Sequence, residues 1–173
     1  MSWCSASFKP TRKMTAQVDV QLAADDSSVP TADEIATWVN RAVDAAGSPG
    51  DMDVSVRVVS TVEMQQLNSE FRDQDKPTNV LSFPVGDLAG LPDDVARPLG
   101  DIVVCAAVVA DEAEQQGKAQ RDHWAHMIVH GTLHLLGFDH ENDSDAAEME
   151  GLEIRILGGH GIANPYGELS QEN

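Results

Sequence analysis

The chain has 173 residues, 42% hydrophobic and 23% charged, which suits one globular domain with a real core. Its net charge of −18 argues against non-specific nucleic-acid binding, which rests on Lys and Arg neutralising phosphates, and leaves room only for a local basic site. No run approaches the roughly 18 apolar residues of a membrane helix.

Residues 1–13 hold three of the 11 basic residues and no acid, and they lack the apolar centre of a secretory signal. A disordered N-terminal extension is expected there, with Met14 as the alternative start of the functional chain. The two cysteines, Cys4 and Cys105, make no disulfide framework; a buried free thiol at Cys105 in a reducing cytoplasm is expected. TAQVDVQ, after Met14, alternates as a strand. VPTADEIATWVNRAVDAAG reads as a helix: Thr31 and Glu34 make a capping box, Ile35, Trp38, Val39 and Val43 form the apolar stripe, and Gly47 ends it. DVSVRVVS, 53–60, alternates as a strand. Ser60 with Glu63 predicts a second capping box, opening a helix to about Phe71. PTNVLSFPV, 77–85, reads as a strand bounded by prolines, and GDLAGLPDDVARPLG as a long loop. GDIVVCAA, 100–107, is a continuous apolar run and predicts a buried strand. Helices follow in VVADEAEQQGKA and in RDHWAHMIVHGTLHLLG, 121–137. A last helix, about 145–157, is expected with Asp143 or Ser144 as cap and Met149, Leu152 and Ile156 inside. The order strand, helix, strand, helix, strand, strand, helix, helix, helix predicts an α+β domain with a small mixed sheet packed with helices. It spans residues 14–160, with 161–173 as a C-terminal tail.

The penultimate helix carries the chemistry. At about 100° per residue, His123, His126, His130 and His134 fall within about 80° of arc, on a helix that is otherwise strongly apolar. An unpaired polar edge in a core costs free energy, and metal ligation removes that difficulty because neutral imidazole is a good zinc donor. His130, His134 and His140 stand at i, i+4 and i+10, with Gly137 placed to stop the helix and swing the third histidine back. Three protein ligands leave a fourth position open, the mark of a catalytic site. His126 either lines the site or packs in the core. His123, near the helix start, is expected in solvent, and His160, in GGHG, in a turn. Asp139 forms the turn before His140 or orients a ligand, the turn being favoured. Zinc peptidases with this spacing carry a glutamate directly after the first histidine, where this chain has Gly131.

HGTLHLLGFDH, 130–140, resembles the signature of the YbeY family of bacterial endoribonucleases, H-G-x-L-H-L-x-G-x-D-H. FRDQDKPTNVLSFP, 71–84, is similar to that family's other hallmark, an Arg followed by D-K-P-T-N-V-L-S-F-P. LGDIVVC, 99–105, and the acidic helix with EME, 148–150, extend the resemblance over about residues 53–157. The resemblance implies an α+β fold distantly like zinc peptidases around the metal helix. It implies a divalent metal, zinc before others, on His130, His134 and His140. It implies a single-strand-specific, metal-dependent endoribonuclease of the cytoplasm. Such an enzyme matures ribosomal RNA, notably the 3′ end of 16S rRNA, and serves ribosome quality control. The implied partners are ribosomal RNA, the small ribosomal subunit and ribosome-associated proteins, with no membrane and no DNA.

Arg72 matches the family's arginine, which implies a part in RNA binding or catalysis. A planar fork donor suits phosphate, while the plain alternative is a surface pair with Asp73 or Asp75. Lys76 is placed to add to an anion site, and Thr78 and Asn79 to line the cleft. A bound metal makes water reactive near neutral pH, which weakens the need for a glutamate at 131. Two competing functions follow from the same helix: a zinc metallopeptidase, against which Gly131 speaks, and a ribosome-associated binding protein with a structural metal.

Overall fold

A computed structural model describes residues 15–167, apart from 25, 26, 49, 87 and 93. The expectations for residues 1–13, Met14 and Cys4 lie outside the described residues. Nine elements follow in the expected order: β1 (Ala16–Leu22), α1 (Ala32–Ala46), β2 (Met52–Val59), α2 (Thr61–Arg72), β3 (Val80–Pro84), β4 (Arg97–Cys105), α3 (Ala106–Gln115), α4 (Gln120–Leu135) and α5 (Asp143–Gly158). The strands form one mixed sheet in the order β1-β2-β4-β3. β1, β2 and β4 run parallel, and β3 closes one edge antiparallel to β4.

Strand alternation sorts the side chains between two faces. Val54, Val56 and Val58 of β2 and Ile102 and Val104 of β4 join Ile35, Val39 and Val43 of α1 and Trp124, Met127 and Ile128 of α4 in one core. Val59, Leu81, Val103 and Cys105 point the other way and meet Met64 of α2. β4 is therefore buried on both faces in its second half, which is why it reads as an unbroken apolar run. A third cluster joins Ala125, Val129 and Leu133 of α4 to Met149, Leu152, Ile156 and Leu157 of α5. Burying each aliphatic side chain of this kind stabilises by about 1.5–3 kcal/mol. α4 sits at the centre, packed against α1, β3, β4, α3 and α5.

Local signals set the boundaries, with some differences from expectation. The capping box at Thr31 forms in both directions, and Gly47 takes the left-handed conformation at φ 66°. At Ser60 only half a box forms: its side chain accepts from the backbone N–H of Glu63. The Glu63 carboxylate turns instead to Arg57, 3.0 Å from Nε and 2.7 Å from Nη2, because a forked cation outcompetes a single backbone donor. β3 starts at Val80, later than the prolines suggested. β4 starts at Arg97, taking residues from the expected loop, and ends at Cys105, so that Ala106 and Ala107 belong to α3. α5 is capped by Asn142, whose side chain accepts from the N–H of Asp145 at 2.9 Å, not by Asp143 or Ser144. Cys105 is a buried free thiol, as expected, and burial pushes its pKa up. Among the described residues no helix is long and apolar enough to cross a membrane.

Candidate metal centre

The histidine edge of α4 keeps its sequence order in space. Ring centroids lie 6.2 Å apart from His123 to His126, 6.1 Å from His126 to His130 and 4.6 Å from His130 to His134. The chain then reverses. Gly137, at φ 95°, donates its N–H to the carbonyl of His134 at 3.1 Å, and Phe138 donates to Leu133 at 3.0 Å. These two bonds satisfy the carbonyls of Leu133 and His134 in the last turn of α4, and the positive φ is one that glycine adopts without penalty. Asp139 makes the following turn, its Oδ1 accepting the N–H of His140 at 2.7 Å. The reversal brings the His140 ring to 5.1 Å from His134 and 5.8 Å from His130. One ligand atom from each of His130, His134 and His140 lies within 4.8 Å of the others.

These residues fit a metal ion. Nε2 of His130 and Nε2 of His134 face each other at 3.1 Å. Two nitrogens about 2.0–2.1 Å from one tetrahedral ion stand about 3.3 Å apart. Nδ1 of His130 lies 2.5 Å from Oε1 of Glu153. A carboxylate can only accept, so Nδ1 carries the proton and Nε2 keeps its lone pair for a metal. Burial first, and then repulsion from His130 and His140, holds the pKa of His134 below the ordinary histidine value, which favours the neutral, ligating form. His140 is exposed and His134 half-buried, so the cluster opens to solvent on one side.

Gly131 is where the sheet meets α4. A Cβ there would lie 3.0 Å from Cγ2 of Ile102 and 3.3 Å from both Oγ of Ser82 and Cγ2 of Val80. Its carbonyl accepts from the Ser82 hydroxyl at 3.0 Å. The position that carries a glutamate in zinc peptidases is therefore turned into the helix–sheet contact, where even a Cβ would press on β3 and β4.

Glu153 of α5 is a site residue that the sequence reading missed. It is fully buried (0% exposed), beside His130 and within 3.6 Å of Nε2 of His126, and it accepts a hydrogen bond from the Tyr166 hydroxyl. Burial alone would raise its pKa; hydrogen bonds from His126 and His130, attraction to His130 and the Tyr166 hydroxyl outweigh it and hold the group at about 2. His126 is thus neither a ligand of the three-histidine cluster nor plain packing, but part of the cage around this carboxylate. His126, His130 and Glu153 also converge closely enough for an ion. Two ligands of one ion stand about 2.9 Å apart or more, so the 2.5 Å contact is a hydrogen bond and not a second metal site.

The expectation that His123 is solvated is corrected. It is 3% exposed, and its Nε2 meets Oε2 of Glu112 of α3 at 2.8 Å. The start of α4 is covered by α3 and by the segment after α5, which one sequence window does not reveal. Asn79 does not line the histidine cluster; its Nδ2 holds the Glu112 carboxylate, 3.2 Å from each oxygen. Thr78 is half-buried just before β3. His160 lies in the turn after α5, as expected, edge-on to Trp38.

Arg72 and Lys76 are exposed. α2 packs on the sheet face opposite α4: Phe83 of β3 meets Phe71 at 5.0 Å, while Ser82, the next residue back, faces Gly131. α2, which ends at Arg72, and α4 thus lie on opposite faces of the sheet at edge strand β3. Among the described residues Arg72 forms no ion pair, with Asp73, Asp75 or any other group. Asp75 instead accepts from Gln65 at 3.0 Å.

Two histidines of α4 and a third from the turn after it, beside a four-stranded α+β sheet, form a cluster that could hold a metal ion. The family described as Endoribonuclease YbeY matches over residues 19–161. An Endoribonuclease YbeY of Alcanivorax borkumensis is 48% identical over 160 residues, 92% of this chain and 91% of the relative. That of Halorhodospira halophila is 50% identical over 142 residues, covering 82% and 91%. The solution structure of a Thermotoga maritima protein is similar with a TM-score of 0.56 and 27% identity, over 91% of this chain and 99% of that one. The chain belongs to the Endoribonuclease YbeY family.

Proposed function

We propose that this chain is a metal-dependent endoribonuclease of ribosomal RNA processing, with His130, His134 and His140 holding the ion. The observation that carries the proposal is the convergence of the three imidazoles on one open point, with His130 and His134 Nε2 at 3.1 Å, in a member of this family. Zinc suits a donor set of three neutral imidazoles, and the cytoplasm suits a buried free thiol. A bound divalent ion would polarise a phosphoryl oxygen and lower the pKa of water.

The chain's own residues do the rest. The histidines would hold the ion at the C-terminal end of α4, and Gly131 keeps that helix tight against β3. Arg72 and Lys76, exposed beside the edge strand, supply local cations in a chain whose net charge is −18. Single-stranded RNA, notably a precursor of the 16S 3′ end presented with the small ribosomal subunit, is the substrate this patch would engage. A peptidase of this spacing would need a carboxylate after the first histidine, where this chain has Gly131 packed tightly against the sheet. A purely structural metal would need a closed shell, whereas His140 is exposed.

Stripping the protein with a chelator and restoring zinc tests the proposal. Loss and return of cleavage of a single-stranded rRNA fragment, with no cleavage of casein, is expected. Undiminished RNA cleavage by the stripped protein, or metal-dependent proteolysis alone, would overturn it.

A further inference from the structure

We propose that Glu153 is the positioning residue of the metal centre and that Tyr166 is the latch that holds it. This rests on the metal role of the three histidines and adds how one of them is aimed. Imidazole has two nitrogens, and an ion needs the lone pair of a chosen one. Glu153 Oε1 takes the Nδ1–H of His130 at 2.5 Å, which leaves Nε2 directed at His134. A carboxylate behind a ligating histidine fixes the tautomer, stops ring rotation and raises ligand basicity.

Glu153 must itself be held, because it is fully buried on the inner side of α5. Its second oxygen accepts the Tyr166 hydroxyl, with His126 Nε2 within 3.6 Å. Tyr166 comes from the segment after α5. A turn inside that segment has Tyr166 N–H donating to Asn164 Oδ1 at 2.9 Å, and Lys118 Nζ ties the segment to the start of α4 by donating to the Pro165 carbonyl at 2.8 Å. The phenol ring packs edge-on against His126 at 5.4 Å while remaining 44% exposed, so its hydroxyl reaches inward from a surface strap. The C-terminal strap, α5 and α4 are thereby joined through one carboxylate to one metal ligand.

The test measures zinc affinity by competition with a chromophoric chelator, and the visible spectrum of the cobalt-loaded protein, for wild type, Glu153→Gln, Tyr166→Phe and Glu112→Gln. Glu153→Gln is expected to weaken zinc binding about 10–100-fold and to alter the cobalt spectrum, with Tyr166→Phe shifted the same way by a smaller factor. Glu112→Gln removes the carboxylate behind His123, which is not among the three ligands, and is expected to keep wild-type affinity and spectrum. Wild-type affinity in Glu153→Gln would overturn the proposal, as would an equal loss in Glu112→Gln. If Glu153→Gln fails to fold, Tyr166→Phe decides, and an unchanged affinity there overturns it. Wild type that binds no metal would instead sink the metal centre itself, so the two failures are distinguishable.

Discussion

At the scale of single residues, Gly131 answers the question its own sequence position raises. Its Cβ vector points at Ile102, Ser82 and Val80, so the missing glutamate reflects where α4 touches the sheet. Gly131→Glu is expected to destabilise the fold by at least about 2 kcal/mol, since both the added volume and the buried charge act against it. An unchanged urea midpoint would contradict this. Arg72 is the opposite case, exposed and without an ion pair among the described residues. Arg72→Ala is expected to change stability by no more than about 0.5 kcal/mol and leave metal content intact, while RNA cleavage falls at least tenfold. Wild-type cleavage would remove Arg72 from the site. The histidines were legible because i, i+4 and a glycine reversal are short-range features. Glu153 was not, because EMEGLEIR looks like an acidic surface turn of helix. A signal was present: at about 100° per residue Glu153 falls about 40° from Met149, between it and Leu157 on the stripe that also holds Leu152 and Ile156. A charge inside an apolar stripe calls for a partner.

At the scale of elements, strands and helices were legible in order and close in extent, because capping residues and alternation act over a few positions. What was not legible is which elements cover which side chains. His123 was expected in solvent because it begins a helix, yet α3 lies over it and Glu112 pairs with it. That pairing has a pH signature. The hydrogen bond from His123, ahead of other influences, holds the Glu112 carboxyl below its ordinary value. A carboxyl depressed in the folded state contributes stability that is present above the unfolded pKa, about 4.3, and is lost as pH falls through the folded one. Glu112→Gln is therefore expected to cost about 1–2 kcal/mol at pH 7 and to lose less than wild type on acidification below about pH 4. Parallel stability–pH curves for the two proteins would contradict the pairing.

At the scale of the molecule, a net charge of −18 and an RNA substrate pull against each other. The histidine cluster opens to solvent at one end of α4, and the exposed cations Arg72 and Lys76 stand at the end of α2 and in the turn that leads to edge strand β3. If those few cations hold RNA, affinity should fall only gently with added salt, because the slope scales with the number of phosphates neutralised. Binding isotherms at several ionic strengths would check this, and a slope matching six or more phosphates would contradict it, pointing to cations beyond Arg72 and Lys76. The most direct measurement pairs metal content with cleavage of a precursor 16S rRNA 3′ fragment, for wild type and His134→Ala side by side. Stoichiometric metal with cleavage in the wild type, and loss of both in His134→Ala, is the expected result. Cleavage by metal-free His134→Ala at the wild-type rate would contradict a metal-dependent endoribonuclease centred on His130, His134 and His140.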